Sequence, residues 1–400
     1  MNLILFDDPI LKIRLLPFTW IRPIAAIRIG ILKIYEKWAV YFQGDISYLT
    51  APYLSKKFNA KFSENQYYIN GALCPSESLV EEIAKLKLGE GLKRGEMLLA
   101  YHTTIAFETP EALILHFWEK GTKIEASTTD TSFLQRPWDI FRYNQQEIIS
   151  DFAQVTKGRE SESISDPFTK VYHPENVFVE KGASIKAALI NAENGPVYIG
   201  KNAIIHEGAL VRGALALCEN AEINMGAKIR GNSTFGPSAK MGGEINNAVV
   251  FGFSNKGHDG YLGNAVIGEW CNLGADTNNS NLKNNYSEVK VWDYEHEKLI
   301  PSGLQFCGLM MGDHSKCGIN TMFNTGTVTG IAAIIFGGGF PQKFIPSFTW
   351  GGVDNHDTFQ LEKMLELAEN VMTRKLQDFT REDKAIFEYV FEKTSKYRQA

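Results

Sequence analysis

The chain has 400 residues, 44% hydrophobic and 22% charged, ordinary values for a globular protein of two or three domains. A formal net charge of -5 and a pI near 6.0 exclude a whole-chain pull toward nucleic acid. Five cysteines (Cys74, Cys218, Cys271, Cys307, Cys317) without CxxC spacing point to free thiols in a reducing cytoplasm, not to a disulfide framework.

The opening MNLILFDD has no basic segment and meets two aspartates early, so it reads as a first strand and not as a targeting signal. No apolar run reaches the ~18 residues of a membrane span. Residues 1–155 read as an α/β domain, with strands over 2–6, 97–101 and 112–116. Ser78 and Glu81 have capping-box spacing ahead of a helix that stops at Gly89. Residues 156–176 are polar and aperiodic, the composition of a linker.

A different period governs residues 177–354. Every sixth residue from Ile199 is large and apolar: Ile205, Val211, Leu217, Ile223, Ile229, Phe235 and Met241 follow. A second column four positions later is mostly small: Ala203, Ala209, Leu215, Ala221, Ala227, Ser233, Ala239, Ile245. A period of six fits neither helix nor simple strand. It marks short strands wound into a parallel β-helix, large residues inside and small ones near the corners. The period falters over 247–260 and 278–304, where loops can leave the coil, and closes by about 346–352. Residues 355–400 read as two amphipathic helices, one with Met364, Leu365, Ala368 and Val371, the other started by Thr380 and Asp383. They would cap the solenoid or contact a second subunit.

Two stretches carry a resemblance. Arg14-Leu15-Leu16-Pro17-Phe18-Thr19 is similar to the RLxPLT segment of sugar-nucleotide pyrophosphorylases. That family places a glycine-rich loop before the arginine and a lysine after it. Here residues 7–13 contain no glycine and Ile24 stands at the lysine position. The resemblance implies weak nucleotide binding by Arg14 and Arg22, with Mg²⁺ only if this domain is active. The second stretch runs from Ser254 through Gly257-His258, Tyr261-Leu262-Gly263 and Asn272-Leu273-Gly274-Ala275-Asp276-Thr277 to Asn281. It resembles the acetyltransferase half of the bifunctional N-acetylglucosamine-1-phosphate uridyltransferase/glucosamine-1-phosphate acetyltransferase family, with Asp276 in place of a glycine. The whole chain resembles a bacterial group in which an abbreviated nucleotidyltransferase-like α/β domain is fused to such a β-helix.

The resemblance implies a left-handed β-helix, a homotrimer and acetyl-CoA as cosubstrate. It implies N-acetylation of an amino-sugar phosphate for nucleotide-sugar or cell-envelope precursors. His258 would be the general base, since acyl transfer to an amine needs a group that takes its proton near neutral pH. Tyr261, Asn272 and Asn281 would hold the sugar, Arg230 its phosphate. Lys240 or Lys256 would stand in for a missing second phosphate-binding lysine. Two other readings compete: nucleotidyl transfer by residues 1–155 with an assembly-only β-helix, and a non-catalytic trimeric sugar-nucleotide-binding scaffold. The Asp313-His314-Ser315-Lys316-Cys317 run would spread its ligands over different faces of a coil, so no metal site is expected. His206 reads as a solvated corner residue.

Overall fold

The computed structural model describes residues 2–42, 44–353 and 356–398. These form two compact units: residues 2–27, 32–136 and 381–386, and residues 28–31, 137–380 and 387–398. The expected boundary at 354/355 lies outside the described residues.

The first unit is built on a six-stranded sheet. Its strands are β1 (Asn2–Phe6), β2 (Ile46–Leu49), β3 (Gln66–Asn70), β4 (Glu90–Arg94), β5 (Met97–Thr103) and β6 (Thr122–Glu125), in the order β2-β1-β3-β5-β4-β6. The central β1 is parallel to both neighbours, and Leu3, Ile4, Leu5 and Phe6 are buried, as a strand covered on two faces requires. Two local readings change. Residues 112–116 lie within a helix, Pro110–Lys120, because Thr109 caps Ala112 N–H and Pro110 fits the first turn. Leu113 and Phe117 are its buried face. The helix read from Ser78 spans Glu77–Ala84 and is capped by Ser76, which accepts from Leu79 N–H; the Ser78 hydroxyl donates to Asp130 instead.

In the second unit, the long helix Asp139–Thr156 joins the solenoid. Asn144 accepts from Gly30 N–H at 2.8 Å and from the Thr234 hydroxyl at 3.0 Å. The solenoid is a parallel β-helix with three columns of short strands. Ile205 pairs with Ile223 and Ile223 with Met241, eighteen residues apart each time, so three hexads make one coil. One face stacks Ile190, Val211, Ile229, Ile245 and Leu262. A second stacks Ile199, Leu217, Phe235, Val250, Ile267, Met311, Thr329 and Ile345. The third stacks Ile185, Ile205, Ile223 and Met241, and further on Leu273, Cys317 and Ile335. The eight hexad residues from Ile199 to Met241 are all buried in one cluster, as the period predicts. The last strand paired in parallel is Thr349–Gly352, and His356–Thr358 then pairs with it antiparallel.

Corners between faces need left-handed backbone. At one corner the chain repeats Asn202, Asn220, Ser238, Phe253, Trp270, His314, Ala332 and Phe348, all at φ of 54–64°. Asparagine tolerates that region; Phe and Trp do so at a cost. The break over 278–304 is filled by an antiparallel hairpin, Lys290–Asp293 with Lys298–Pro301. The tail forms helices Leu361–Arg374 and Arg381–Lys393. Phe387 meets His314 edge-on and Phe391 meets Phe348, so the part of the second helix from Phe387 onward lies along a flank of the last coils.

Candidate functional site

The coil after Met241 is short. Met241 pairs with Lys256, fifteen residues on, so Lys256 takes the interior place that a hexad residue fills elsewhere. Its side chain is 1% exposed. The ammonium donates to three backbone carbonyls: His258 at 2.8 Å, Asp259 at 3.0 Å and Gly242 at 3.3 Å. Burial pulls its pKa down to about 8, while Asp259, Asp276 and Cys317 pull it back up. This corrects the expectation that Lys256 grips a substrate phosphate. It faces inward and ties the 257–260 loop to the coil below.

That loop stands on two glycines. A Cβ on Gly243, which has φ of 77°, would lie 2.9 Å from the Lys256 Nζ. A Cβ on Gly260, at φ of 112°, would run into the Thr277 backbone. Both positions therefore require glycine. Asn224 adds a bond to the Gly257 carbonyl at 2.8 Å. With its backbone held at both ends, the loop exposes His258 at the corner between the third and first faces.

On the first face, Tyr261 N–H donates to Asn278 at 2.7 Å, and the Asn281 amide donates to the Tyr261 hydroxyl at 3.1 Å and to Asn264 at 2.8 Å. Tyr261 folds over Gly263, where any side chain would collide with its ring. Asn279 bonds both N–H and C=O of Gly263, at 2.8 and 3.0 Å. The asparagine run thus stitches neighbouring coils while its far end reaches Tyr261. Two coils away, Arg230 is exposed and paired with Glu244 at 3.0 Å, and Glu244 stands in register with Tyr261. Asn272 is elsewhere. It is exposed on the third face, in register with Asn255.

The structure therefore brings Tyr261 and Asn281 into contact, with Arg230 on the same face, and sets Asn272 across the corner from them. Sequence reading missed Glu244, Asn264, Asn224 and the Gly242-Gly243 pair. The three-residue shortening after Met241 is the signal that would have revealed Lys256 as interior.

In the first unit, residues 9–14 form a helix whose first turn is capped by its own acid. Asp8 accepts from Ile10 N–H at 2.9 Å and Leu11 N–H at 3.0 Å. Burial raises its pKa, which those N–H bonds partly counter. Asp7 takes Lys12 at 2.8 Å, the Ile24 N–H at 2.7 Å and the Thr50 hydroxyl. Arg22, expected to meet a nucleotide, is buried and donates to the Phe18 carbonyl at 3.2 Å. Arg14 is half-buried in the last helical turn. The first N–H groups of this helix and the Arg22 guanidinium are thus engaged with the protein itself. The five described cysteines are free and buried, and no described helix is long and apolar enough to cross a membrane. At the inserted hairpin, Asp293, Glu295 and His296 bring ligand atoms within 4.8 Å of one another.

Residues 3–160 match the family model described as sugar nucleotidyl transferase. A bifunctional sugar-1-phosphate nucleotidylyltransferase/acetyltransferase of Sulfurisphaera tokodaii is 36% identical over 95 residues, 24% of this chain and 23% of that protein. The bifunctional protein GlmU of Methanococcus aeolicus is 32% identical over 106 residues, 26% of this chain and 25% of that protein. The chain thus aligns with about a quarter of the length of the curated relatives it matches. Among solved structures, the polySia-specific acetyltransferase NeuO is similar at 15% identity and a TM-score of 0.27, over 49% of this chain and 85% of its own. The UDP-N-acetylglucosamine acyltransferase LpxA of Bacteroides fragilis is similar at 13% identity and 0.25, over 56% and 95%. Three of these four are transferases by name.

Proposed function

We propose that the chain is an acetyl-CoA-dependent N-acetyltransferase acting on an amino-sugar phosphate, with His258 as general base and a first domain that has lost nucleotidyl transfer. The observation that carries this reading is the corner at 257–260. A glycine-supported loop, anchored from inside by Lys256, holds one exposed imidazole beside a face that presents Tyr261, Asn281 and Arg230. Backbone held this firmly suits a group that must meet a reacting atom.

In the proposed step the substrate amine attacks the thioester carbonyl and the imidazole takes the amine proton. The tetrahedral intermediate then expels the thiolate of CoA, which receives that proton from the imidazolium. Tyr261 and Asn281 offer hydroxyl and amide groups to sugar hydroxyls. Arg230 offers its guanidinium to a phosphate once Glu244 yields. Asn272, expected to hold the sugar with them, lies across the corner on the third face. The test is thiol release from acetyl-CoA over a panel of amino-sugar phosphates. Release that needs the amine and disappears in His258→Ala supports the reading; release unaffected by that change removes it.

Nucleotidyl transfer is the second reading, favoured by the family match over residues 3–160. Against it stand the Asp8 carboxylate on the N–H groups of the first helix and the burial of Arg22.

A further inference from the structure

A groove of about 470 Å³ lies between the third face of the solenoid and the helix Leu361–Arg374, within the second unit. That volume suits a small-molecule ligand. Its wall is the corner column where Asn202, Asn220 and Ser238 give way to Phe253 and Trp270. The two rings stack at 4.2 Å, nearly parallel. Both hold left-handed backbone, at φ of 63° and 64°, a conformation bulky residues avoid. Such strain persists where packing or a ligand requires the side chain.

The rest of the lining is basic. Lys240, Lys316, Arg374 and Lys375 all border the groove, and none of its described lining residues is acidic. Lys240 is paired with Glu222 at 2.8 Å. Lys316 is only partly exposed and donates to the carbonyls of His314 at 3.1 Å and Trp270 at 3.5 Å. Burial lowers its pKa. Asn255 Oδ1, on the same wall, is buried without a hydrogen-bond partner. Cations that outnumber their counter-charges, a ring wall and an unmet acceptor together describe a receptor for an anion that carries a flat base.

We propose that this groove binds a nucleoside phosphate, its base against the Phe253–Trp270 wall and its phosphates toward Lys316, Arg374 and Lys375. Asn255 Oδ1 would accept from a base or ribose donor. The assignment does not depend on acetyl transfer. It is nonetheless next to that chemistry, because Asn255 lies on the strand that runs into the His258 loop.

The chemistry could come from a coenzyme or from a sugar nucleotide, and binding to the full chain separates them. Titrations with CoA, adenosine 3′,5′-bisphosphate, UDP-N-acetylglucosamine and pyrophosphate are run on the wild type and on Arg374→Ala/Lys375→Ala. That pair is at the surface end of the helix, so the variant should fold. Expected is at least one nucleoside phosphate bound tenfold or more tighter than pyrophosphate, and weakened about tenfold or more in the double variant. Preference for the CoA pair names the coenzyme as source; preference for the uridine compound names the sugar nucleotide. Nucleotide binding that the double variant leaves unchanged belongs elsewhere in the chain and overturns the proposal. So does pyrophosphate bound as tightly as every nucleotide, or no binding at millimolar concentration. Trp270→Leu, checked for an unchanged circular dichroism spectrum, should lose the preference for nucleotides over pyrophosphate while keeping pyrophosphate itself.

Discussion

His258 and Lys256 divide one task between a side chain outside the coil and one inside it. A general base is typically worth ~10²–10⁴-fold in rate, so His258→Ala should lower kcat for acetyl transfer by about that factor with little change in acetyl-CoA affinity. His258→Asn should be nearly as poor, since an amide accepts no proton near pH 7. His206→Ala should stay within a few-fold. His314 is a poor control, because it is buried against Trp270 and Phe387. Lys256 adds a pH effect of definite sign. Its folded pKa, about 8, lies below the ordinary 10.5, so between these values the unfolded chain binds more protons and this group makes stability rise with pH. The loop responds the opposite way: a neutral amine has one donor fewer for the three carbonyls it holds. Activity should therefore fall as pH passes about 8 while the urea midpoint does not. Lys256→Met should lose that inflection and be less active at all pH values. An identical pH profile in the variant would show that the ammonium does not set the loop.

Two elements show how sequence signals divide into legible and hidden. The hexad columns could be read because each residue repeats one environment many times, so a period survives individual exceptions. The helix Pro110–Lys120 was hidden because the run Leu113-Ile114-Leu115 has no clear period over so few residues; only Thr109 and Pro110 announce it. Lys256 was hidden for another reason: its interior place depends on a coil three residues shorter than the one before it, which no local motif records. The burial of Arg22 likewise follows from tertiary packing and not from the Arg-Pro-Ile sequence around it. At the same scale stands the Asp8-capped helix Pro9–Arg14. Its first N–H groups are satisfied by a carboxylate, and that charge would repel a triphosphate. Pyrophosphate release from UTP or dTTP should be weak or absent. Mg²⁺-dependent release at a robust rate, abolished by Arg14→Ala, would show that the arginines replace the missing loop.

At the scale of the whole molecule, the corner that carries His258 has apolar neighbours on other coils. Met225 and Ile319 are 75% and 72% exposed. Met225 lies between the strands Glu222–Ile223 and Lys228–Ile229, and Ile319 between Lys316–Cys317 and Met322–Phe323. His258 lies in the same turn, between Asn255–Lys256 and Tyr261–Ile267. Large apolar side chains aligned on one edge of a solenoid are best covered by another coil. A head-to-tail contact along such an edge closes as a ring when the rotation is cyclic. The expected assembly is a homotrimer, at three times the 44.8 kDa of the chain by light scattering. If a neighbouring coil completes the site, Met225→Asp/Ile319→Asp should lower the oligomeric state and the acetyl-transfer rate together, with far-UV circular dichroism unchanged. A wild-type monomer at working concentration would refute the trimer. A dissociated variant that keeps full activity would show that the His258 corner works within one chain, leaving the apolar edge to assembly alone.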